Sequence, residues 1–447
     1  MNSNYKKMYP KLLRKVIVPL GDLAFGGNYN LHLKEWRKFD KLSEKELRYI
    51  QKERLKEILL YSTEKVPYYK TELDLDFEDP YKALKKIPVL TKELLNSNHD
   101  DLIAKDFDKE KLKKNFSSGS TGKQSFSYTT HKLTYYNQAI QRHWFEWTGY
   151  QEGIPTLQFG ISPDRGFIKS LKDFFFNINY ESAFSLDDKD FERINFKLKS
   201  KKVKFIIGYP SAIFELAKWM DLNNKKHKID AIISLGDKLF EHYESVFSKV
   251  FISPKILDTY GCAEGFLMAA KYDTPFYYIT SPHVYIEIVD DYGKEVDEGE
   301  LGHVLVTCLT SYAQPFLRYK LGDLAIKLEK SNYPKDKKFN YPLLKKIIGR
   351  ETDVIKTPFG KNLIVHSFTG IFEHFPIISK YKIIQTSSKT LLIEYISKDK
   401  EHDIAILKIK NNLDELTQKS MEISFKKVDK IKAMYSGKPQ IIEILNS

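Results

Sequence analysis

The segment Phe116-Ser-Ser-Gly-Ser-Thr-Gly-Lys-Gln124 places two glycines and four hydroxyls directly ahead of a lysine. Glycine lets a backbone approach a polyanion, successive amides can point inward as a nest, and the hydroxyls with Lys123 add donors and charge. The chemistry such a segment suits is the cradling of phosphate. It is not the nucleotide-binding P-loop, which needs a glycine five residues ahead of its Gly-Lys pair, where this chain has Ser117. Ser/Gly-rich stretches also serve as flexible connections, so the meaning of this one rests on its company.

Asp258-Thr-Tyr-Gly-Cys-Ala-Glu264 supplies an aromatic ring and a carboxylate. Tyr260 can cover a nucleobase face and Glu264 can hold Mg²⁺ beside phosphate oxygens, although an ordinary turn accommodates the same residues. In Leu317-Arg-Tyr-Lys-Leu-Gly-Asp323, the aspartate accepts hydrogen bonds only, which suits the paired hydroxyls of a ribose or, equally, a capping role. Gly349-Arg350 leads to Asp353, Ile355, Lys356 and Gly360, and its guanidinium suits phosphate or ribose oxygens or a surface ion pair. Ser436-Gly-Lys-Pro-Gln440 puts Lys438 on a short turn, where it could reach into a cleft or remain a solvated charge.

These segments need elements to hold them. Residues 43–60 are expected to be an amphipathic helix: Ser43 and Glu46 make a capping-box pattern, and Leu47, Ile50, Leu55, Ile58 and Leu59 recur at helical spacing. Val66-Pro67 ends it, and Thr91 is placed to cap a short helix through Leu94 and Leu95. Leu157–Ile161, Val203–Gly208, Ala231–Leu235 and Ile256–Thr259 read as strands, with a helix through Ser211–Met220 between the second and third. Strand, helix, strand predicts a parallel sheet, whose ligands gather at the carboxyl ends of the strands, where Tyr260 stands. Val284, Ile286, Ile288, Val304 and Val306 alternate with period two around the turn Asp290-Asp-Tyr-Gly293, which predicts a small antiparallel subdomain. Glu329 to Pro342 reads as an exposed connection, and the final hundred residues as a compact α/β piece. The expected fold class is therefore α/β: a large N-terminal domain over residues 1–348, with parallel-rich sheets and a small antiparallel subdomain, then a small C-terminal α/β domain over residues 349–447.

Composition narrows the function classes. With 42% hydrophobic residues over 447 and no repeat or low-complexity block, disordered and fibrous classes are disfavoured. Cys262 and Cys308 are too few for a disulfide framework or a cysteine zinc site, which suits a reducing compartment and a cytoplasmic location. The apolar run Val16 to Leu20 stops at Asp22, short of signal-peptide or spanning length. The net charge of +13 comes from 72 basic residues interspersed with 59 acidic ones, which argues against nucleic acid as a partner. Residues 1–60 differ, with 14 Lys/Arg against 7 Asp/Glu. A solvated lysine-rich surface and peripheral contact with an anionic membrane or acidic partner both fit that excess.

In this order and at these distances the five segments resemble the core motifs of the adenylate-forming superfamily, specifically its phenylacetate–coenzyme A ligase-like branch, which includes capsular-polysaccharide biosynthesis proteins of similar length. Val66-Pro-Tyr-Tyr-Lys70, Ile87-Pro-Val-Leu-Thr-Lys92, Ile207-Gly-Tyr-Pro-Ser211 and the stretch Gly299 to Thr310 extend the likeness over nearly the whole chain. The resemblance implies that Ser117, Ser118, Gly119, Ser120, Thr121, Gly122 and Lys123 hold the ATP phosphates and that Tyr260 with Gly261 holds adenine. It also implies that Asp323 binds ribose, Arg350 contacts nucleotide oxygens, and Glu264 supports Mg²⁺. Lys438, Glu264 and Thr121 are then the expected catalytic residues, with Lys438 carried on a mobile C-terminal domain.

The implied activity is ATP-dependent activation of a carboxylic acid as its acyl-adenylate, followed by transfer to coenzyme A. Transfer to an amine or hydroxyl, such as a sugar or amino acid in surface-polysaccharide synthesis, is the alternative. A catalytically idle scaffold or binding relative is a third reading, which the intact motifs oppose. The chain departs from the pattern at Gly236-Asp237, where many relatives have Gly-Glu, at Thr352, where the hinge usually carries charge, and in lacking the cysteines with which some members bind zinc.

Overall fold

The computed structural model describes the chain apart from residues 1–8, 71–74, 117–125, 162–165, 184–185, 352–353, 361, 373, 376, 398–401, 432–440 and 446–447. The capping box forms as the sequence predicts. Ser43 Oγ accepts from the Glu46 amide at 3.3 Å, Glu46 Oε2 accepts from the Ser43 amide at 2.7 Å, and the helix Glu44–Lys65 follows. Thr91 likewise caps Lys92–Ser97. Helices Tyr29–Phe39 and Pro80–Lys86 complete a helical first hundred residues.

Nineteen strands are described, in chain order: β1 Lys113–Phe116, β2 Phe126–Thr129, β3 Thr156–Gly160, β4 Ile178–Ser182, β5 Phe205–Gly208, β6 Ala231–Ser234 and β7 Lys255–Gly261. β8 Leu267–Lys271, β9 Tyr277–Ile279, β10 Val284–Val289, β11 Leu301–Cys308, β12 Tyr319–Lys327 and β13 Leu343–Arg350 follow. The last are β14 Val354–Lys356, β15 Asn362–Ile364, β16 Lys380–Ser387, β17 Thr390–Ile396, β18 Glu422–Lys427 and β19 Ile442–Ile444.

Eleven strands make one sheet in the order β10-β11-β12-β13-β9-β8-β7-β6-β5-β3-β4. From β4 to β7 the pairing is parallel, and from β7 through β8 to β9 it is antiparallel. The antiparallel pair expected over residues 284–309 is β10 with β11, in register Val284↔Cys308 to Val289↔His303. The central parallel strands β5 and β6 are buried on both faces. Phe205, Ile207, Ala231, Ile233 and Leu257 pack with the helix His131–Trp147, while Leu157, Phe159, Ile206 and Ile232 pack with the helices Asp188–Ser200 and Pro210–Leu222. Helices on both faces make near-continuous apolar strands the stable solution.

One expectation needs correction. The stretch from Glu329 to Pro342 is not simply an exposed connection, because Phe339 and Tyr341 are buried and the Phe339 ring stacks on Trp147 at 4.5 Å between centroids. Lys338 and Asn340 face solvent between them, so a period-two pattern hides inside a polar composition.

His283, just ahead of β10, is fully buried with Nδ1 2.8 Å from Thr310 Oγ1. Burial, with Arg54 nearby, pushes its pKa from 6.5 down to about 3. The folded state therefore holds this ring neutral while the unfolded chain protonates it. Its contribution to stability is complete above pH 6.5 and is lost as pH falls from there toward 3. The expected loss from this group is roughly 1.4 kcal/mol per pH unit. Urea unfolding at pH 7 and pH 5 should show the slope, and His283→Gln should flatten it; an unchanged slope would clear His283 as its source.

By contacts the chain forms two units, one of residues 1–321 with 326–346 and one of residues 322–325 with 347–447. The second unit holds the sheet β18-β17-β16-β19, with the central pair β16–β17 antiparallel and both outer pairs parallel. The helix His402–Leu416 buries Ala405, Ile409 and Leu413.

Candidate active site

β1 and β2, which flank residues 117–125 in the sequence, pair from Lys113↔Thr129 to Phe116↔Phe126. Ser117 to Lys123 themselves lie outside the described residues, as does Lys438. β1 is tied to the turn after β7, because Asn115 Nδ2 donates to the Glu264 carbonyl at 3.3 Å.

Glu264 stands just past the carboxyl end of β7, on the tight turn that joins β7 to β8. The Cys262 amide donates to Phe266 O at 3.0 Å and the Gly265 amide to Cys262 O at 3.1 Å. At Gly261 a Cβ would come within 2.8 Å of the Phe266 carbonyl, so the bulge between Tyr260 and Gly261 admits no side chain. Tyr319 Oη donates to Glu264 Oε1 at 2.8 Å, orienting the carboxylate. Burial, with Glu264 beside it, pushes the Cys262 thiol well up, which keeps it protonated and unsuited to nucleophilic attack. Tyr260 is buried within β7. Two residues earlier, on the same face of the strand, Asp258 accepts from Ser234 Oγ at 3.0 Å and from the Tyr277 hydroxyl. Burial raises its pKa.

The ends of β5 and β6 lie at the same carboxyl edge of the parallel strands as the end of β7. Gly236, at φ 92°, would press a Cβ within 2.7 Å of the Tyr209 ring, and Tyr209's own pKa is pushed up to about 12 by burial and then by Asp237. Asp237, the departure from the Gly-Glu pattern, accepts from Ser211 Oγ at 2.5 Å. That hydrogen bond ties the end of β6 to the first turn of the helix Pro210–Leu222.

In the second unit, Asp323 Oδ1 and Arg350 Nε lie 3.0 Å apart, the aspartate buried and the guanidinium partly exposed. The two residues expected to serve ribose and nucleotide oxygens are thus immediate neighbours. The sequence reading placed Asp323 with the large domain, whereas residues 322–325 group by contacts with the C-terminal unit.

Three residues around Glu264 and β12 are assigned no role by the sequence alone: Asn115, Tyr319 and Arg318. Arg318 sits at φ 48°, pairs with buried Glu287 at 3.2 Å, and donates to the carbonyls of Lys85, Ile87 and Gly293. Backbone bonds from Leu90 to Arg318 and from Lys320 to Leu90 extend this knot to the start of β12, which carries Tyr319.

Mg²⁺ is ordinarily held by one or two carboxylates together with substrate phosphates. A single glutamate, oriented by a tyrosine hydroxyl and bonded through its carbonyl to Asn115 of β1, fits a cation that travels with a nucleotide. Among the described residues no group of three or more His, Cys, Asp or Glu could form a self-sufficient metal site.

The chain has the fold of the adenylate-forming ligases. It superposes on 2-hydroxyisobutyryl-CoA ligase in its postadenylation state, in complex with R3-HIB-AMP, with a TM-score of 0.68 over 91% of both chains at 16% identity. In sequence it is similar to Protein CapK of Staphylococcus aureus, 26% identical over 383 residues and 79% of each chain. It is also similar to indoleacetate–lysine synthetase of Pseudomonas savastanoi, 29% identical over 131 residues, 29% of this chain and 31% of that one. No family model matches the chain.

Proposed function

We propose that this protein is an ATP-dependent adenylate-forming ligase that activates a carboxylic acid and passes the acyl group to coenzyme A. The observation that carries the reading is the oriented Glu264, tied through Asn115 to β1 ahead of the Ser/Gly segment in a fold of this class. In the first half-reaction a carboxylate oxygen bonds to the α-phosphorus of ATP while the bond to the β-phosphate oxygen breaks, releasing pyrophosphate. The thiol then attacks the acyl carbon, AMP leaves, and the thiol proton is lost. Ser117 to Lys123 hold the phosphates, Thr121 among them at the reacting group; Tyr260 and Gly261 form the adenine side; Asp323 and Arg350 take ribose and phosphate oxygens. Glu264 would hold Mg²⁺, which when bound supplies charge neutralisation at the phosphates. Much of the acceleration in such a displacement comes from alignment and charge neutralisation.

A second reading, transfer to an amine, is favoured by the similarity to indoleacetate–lysine synthetase, whose name joins a carboxylate to an amino acid. The reaction's need for ATP suits a cytoplasmic location; no helix among the described residues is long and apolar enough to cross a membrane.

Pyrophosphate release measured with ATP and Mg²⁺ across a panel of carboxylic acids is expected to show acid-dependent turnover. Product mass spectrometry with coenzyme A or lysine added identifies the acceptor. Calorimetry that detects no ATP binding at any Mg²⁺ concentration would sink the proposal.

A further inference from the structure

We propose that the first unit docks on an anionic phospholipid surface through an apolar patch built from two helices remote in sequence. Residues 9–25 are helical, with a π-helical turn over Leu13–Ile17. The Val18 amide bonds to Leu13 O there, directly ahead of Pro19, whose ring cannot continue a regular ladder. Leu13 is buried, but Leu12, Val16, Leu20 and Leu23 are exposed, the last two to 60% and 81%. The second helix, Gly166–Phe175, exposes Phe167 and Phe174 to 81% and 77%, with Leu171 between them at helical spacing.

The helices adjoin at one end. Tyr9 Oη donates to Phe175 O at 2.6 Å, and Leu13 and Pro10 close over Gly153, whose carbonyl accepts from Asn177 Nδ2 at 3.2 Å. Burial of apolar side chains is the ordinary fate of such residues, and clustered exposure of this size marks an interaction surface.

Charge selects the occupant. The exposed cations are Lys11, Lys15, Lys169 and Lys172, with Arg14 half-buried beside them. The two acidic residues in these helices are turned inward. Asp22 accepts from the Tyr29 and Asn30 amides at 2.7 and 2.9 Å, and Asp173 is buried. An apolar stripe flanked by cations, with no fully exposed anion among the described residues of the two helices, matches an interface of acyl chains beneath anionic headgroups. A second protein, or a second copy of this chain, is the competing occupant.

Sedimentation of the full chain with vesicles of phosphatidylcholine, alone or mixed with phosphatidylglycerol, tests this. Affinity should be at least about tenfold higher on the mixed vesicles and should fall as salt rises. Phe167→Asp with Phe174→Asp should lower it at least about tenfold. Leu20→Asp with Leu23→Asp should do the same from the other helix, and unchanged melting temperatures would show that both variants fold. Failure to bind the mixed vesicles would overturn the proposal. So would binding that ignores both apolar variants and vanishes with salt, which would leave only lysine electrostatics. Light scattering that reveals a dimer dissolved by the same substitutions would assign the patch to a second copy instead.

Discussion

Lys438→Ala is expected to slow adenylate formation at least about a hundredfold, the scale of one positioned electrostatic group. In the first half-reaction negative charge gathers between the incoming carboxylate and the α-phosphate. On the proposed reading Lys438 is the cation that neutralises it. Interactions made only in the transition state lower kcat and kcat/KM together, so the deficit should not be recovered by raising substrate concentration. ATP binding should survive, because Tyr260, Glu264, Asp323 and Arg350 remain. When a preformed acyl-adenylate is supplied, transfer to the acceptor should proceed at close to the parent rate, since no pyrophosphate has then to leave. Single-turnover measurement of each half-reaction separates the cases. Adenylation by Lys438→Ala at the parent rate would reduce this residue to a solvated charge.

The largest stability effect is expected at Arg318. Its guanidinium is buried against Glu287, and burial raises the Glu287 pKa while Arg318 opposes that rise. Arg318→Met leaves a buried carboxylate without its cation and three backbone carbonyls without their donor. Breaking such a pair typically costs about 3–5 kcal/mol. Removing both charges, with Arg318→Met and Glu287→Leu together, should cost less than the single change, because no uncompensated charge remains. Urea denaturation of the two variants and Glu287→Leu closes the cycle. A penalty under about 1 kcal/mol for Arg318→Met would mean that this pair contributes no more than a surface one. Adenylation should also weaken in the variant, since Arg318 anchors the strand that delivers Tyr319 to Glu264.

What the sequence made legible was local or periodic. Ser43 and Thr91 announce their helices through spacing to a backbone amide three residues on, and β5 and β6 are visible because burial on both faces leaves almost unbroken apolar runs. Partners across long separations were not legible. Asn115 lies 149 residues from Glu264, and Tyr319 lies 55 from it, and no periodicity encodes either contact. Tyr319 could have been suspected, since it falls inside the Leu317 to Asp323 segment; Asn115 offered no signal beyond standing two residues ahead of Ser117. Phe339 and Tyr341 were masked by lysine and asparagine neighbours, and only their alternation betrays them. The grouping of Asp323 with the C-terminal unit depends on which residues it meets, which spacing cannot report.

The order of strands in the main sheet carries a consequence for synthesis. β9 takes Leu343 and Leu344 of β13 as its neighbours, more than sixty residues further along the chain than Tyr278 and Tyr277, with which they pair. A nascent chain emerging from the ribosome therefore exposes an unpaired edge at β9 until β13 has followed, and Glu264 waits 55 residues for Tyr319. Non-local closure of this kind slows folding and leaves intermediates prone to aggregate. Fragments ending before residue 343 should accordingly need chaperones or fail to accumulate, and any that survive would carry the glutamate with its sheet still open on one side.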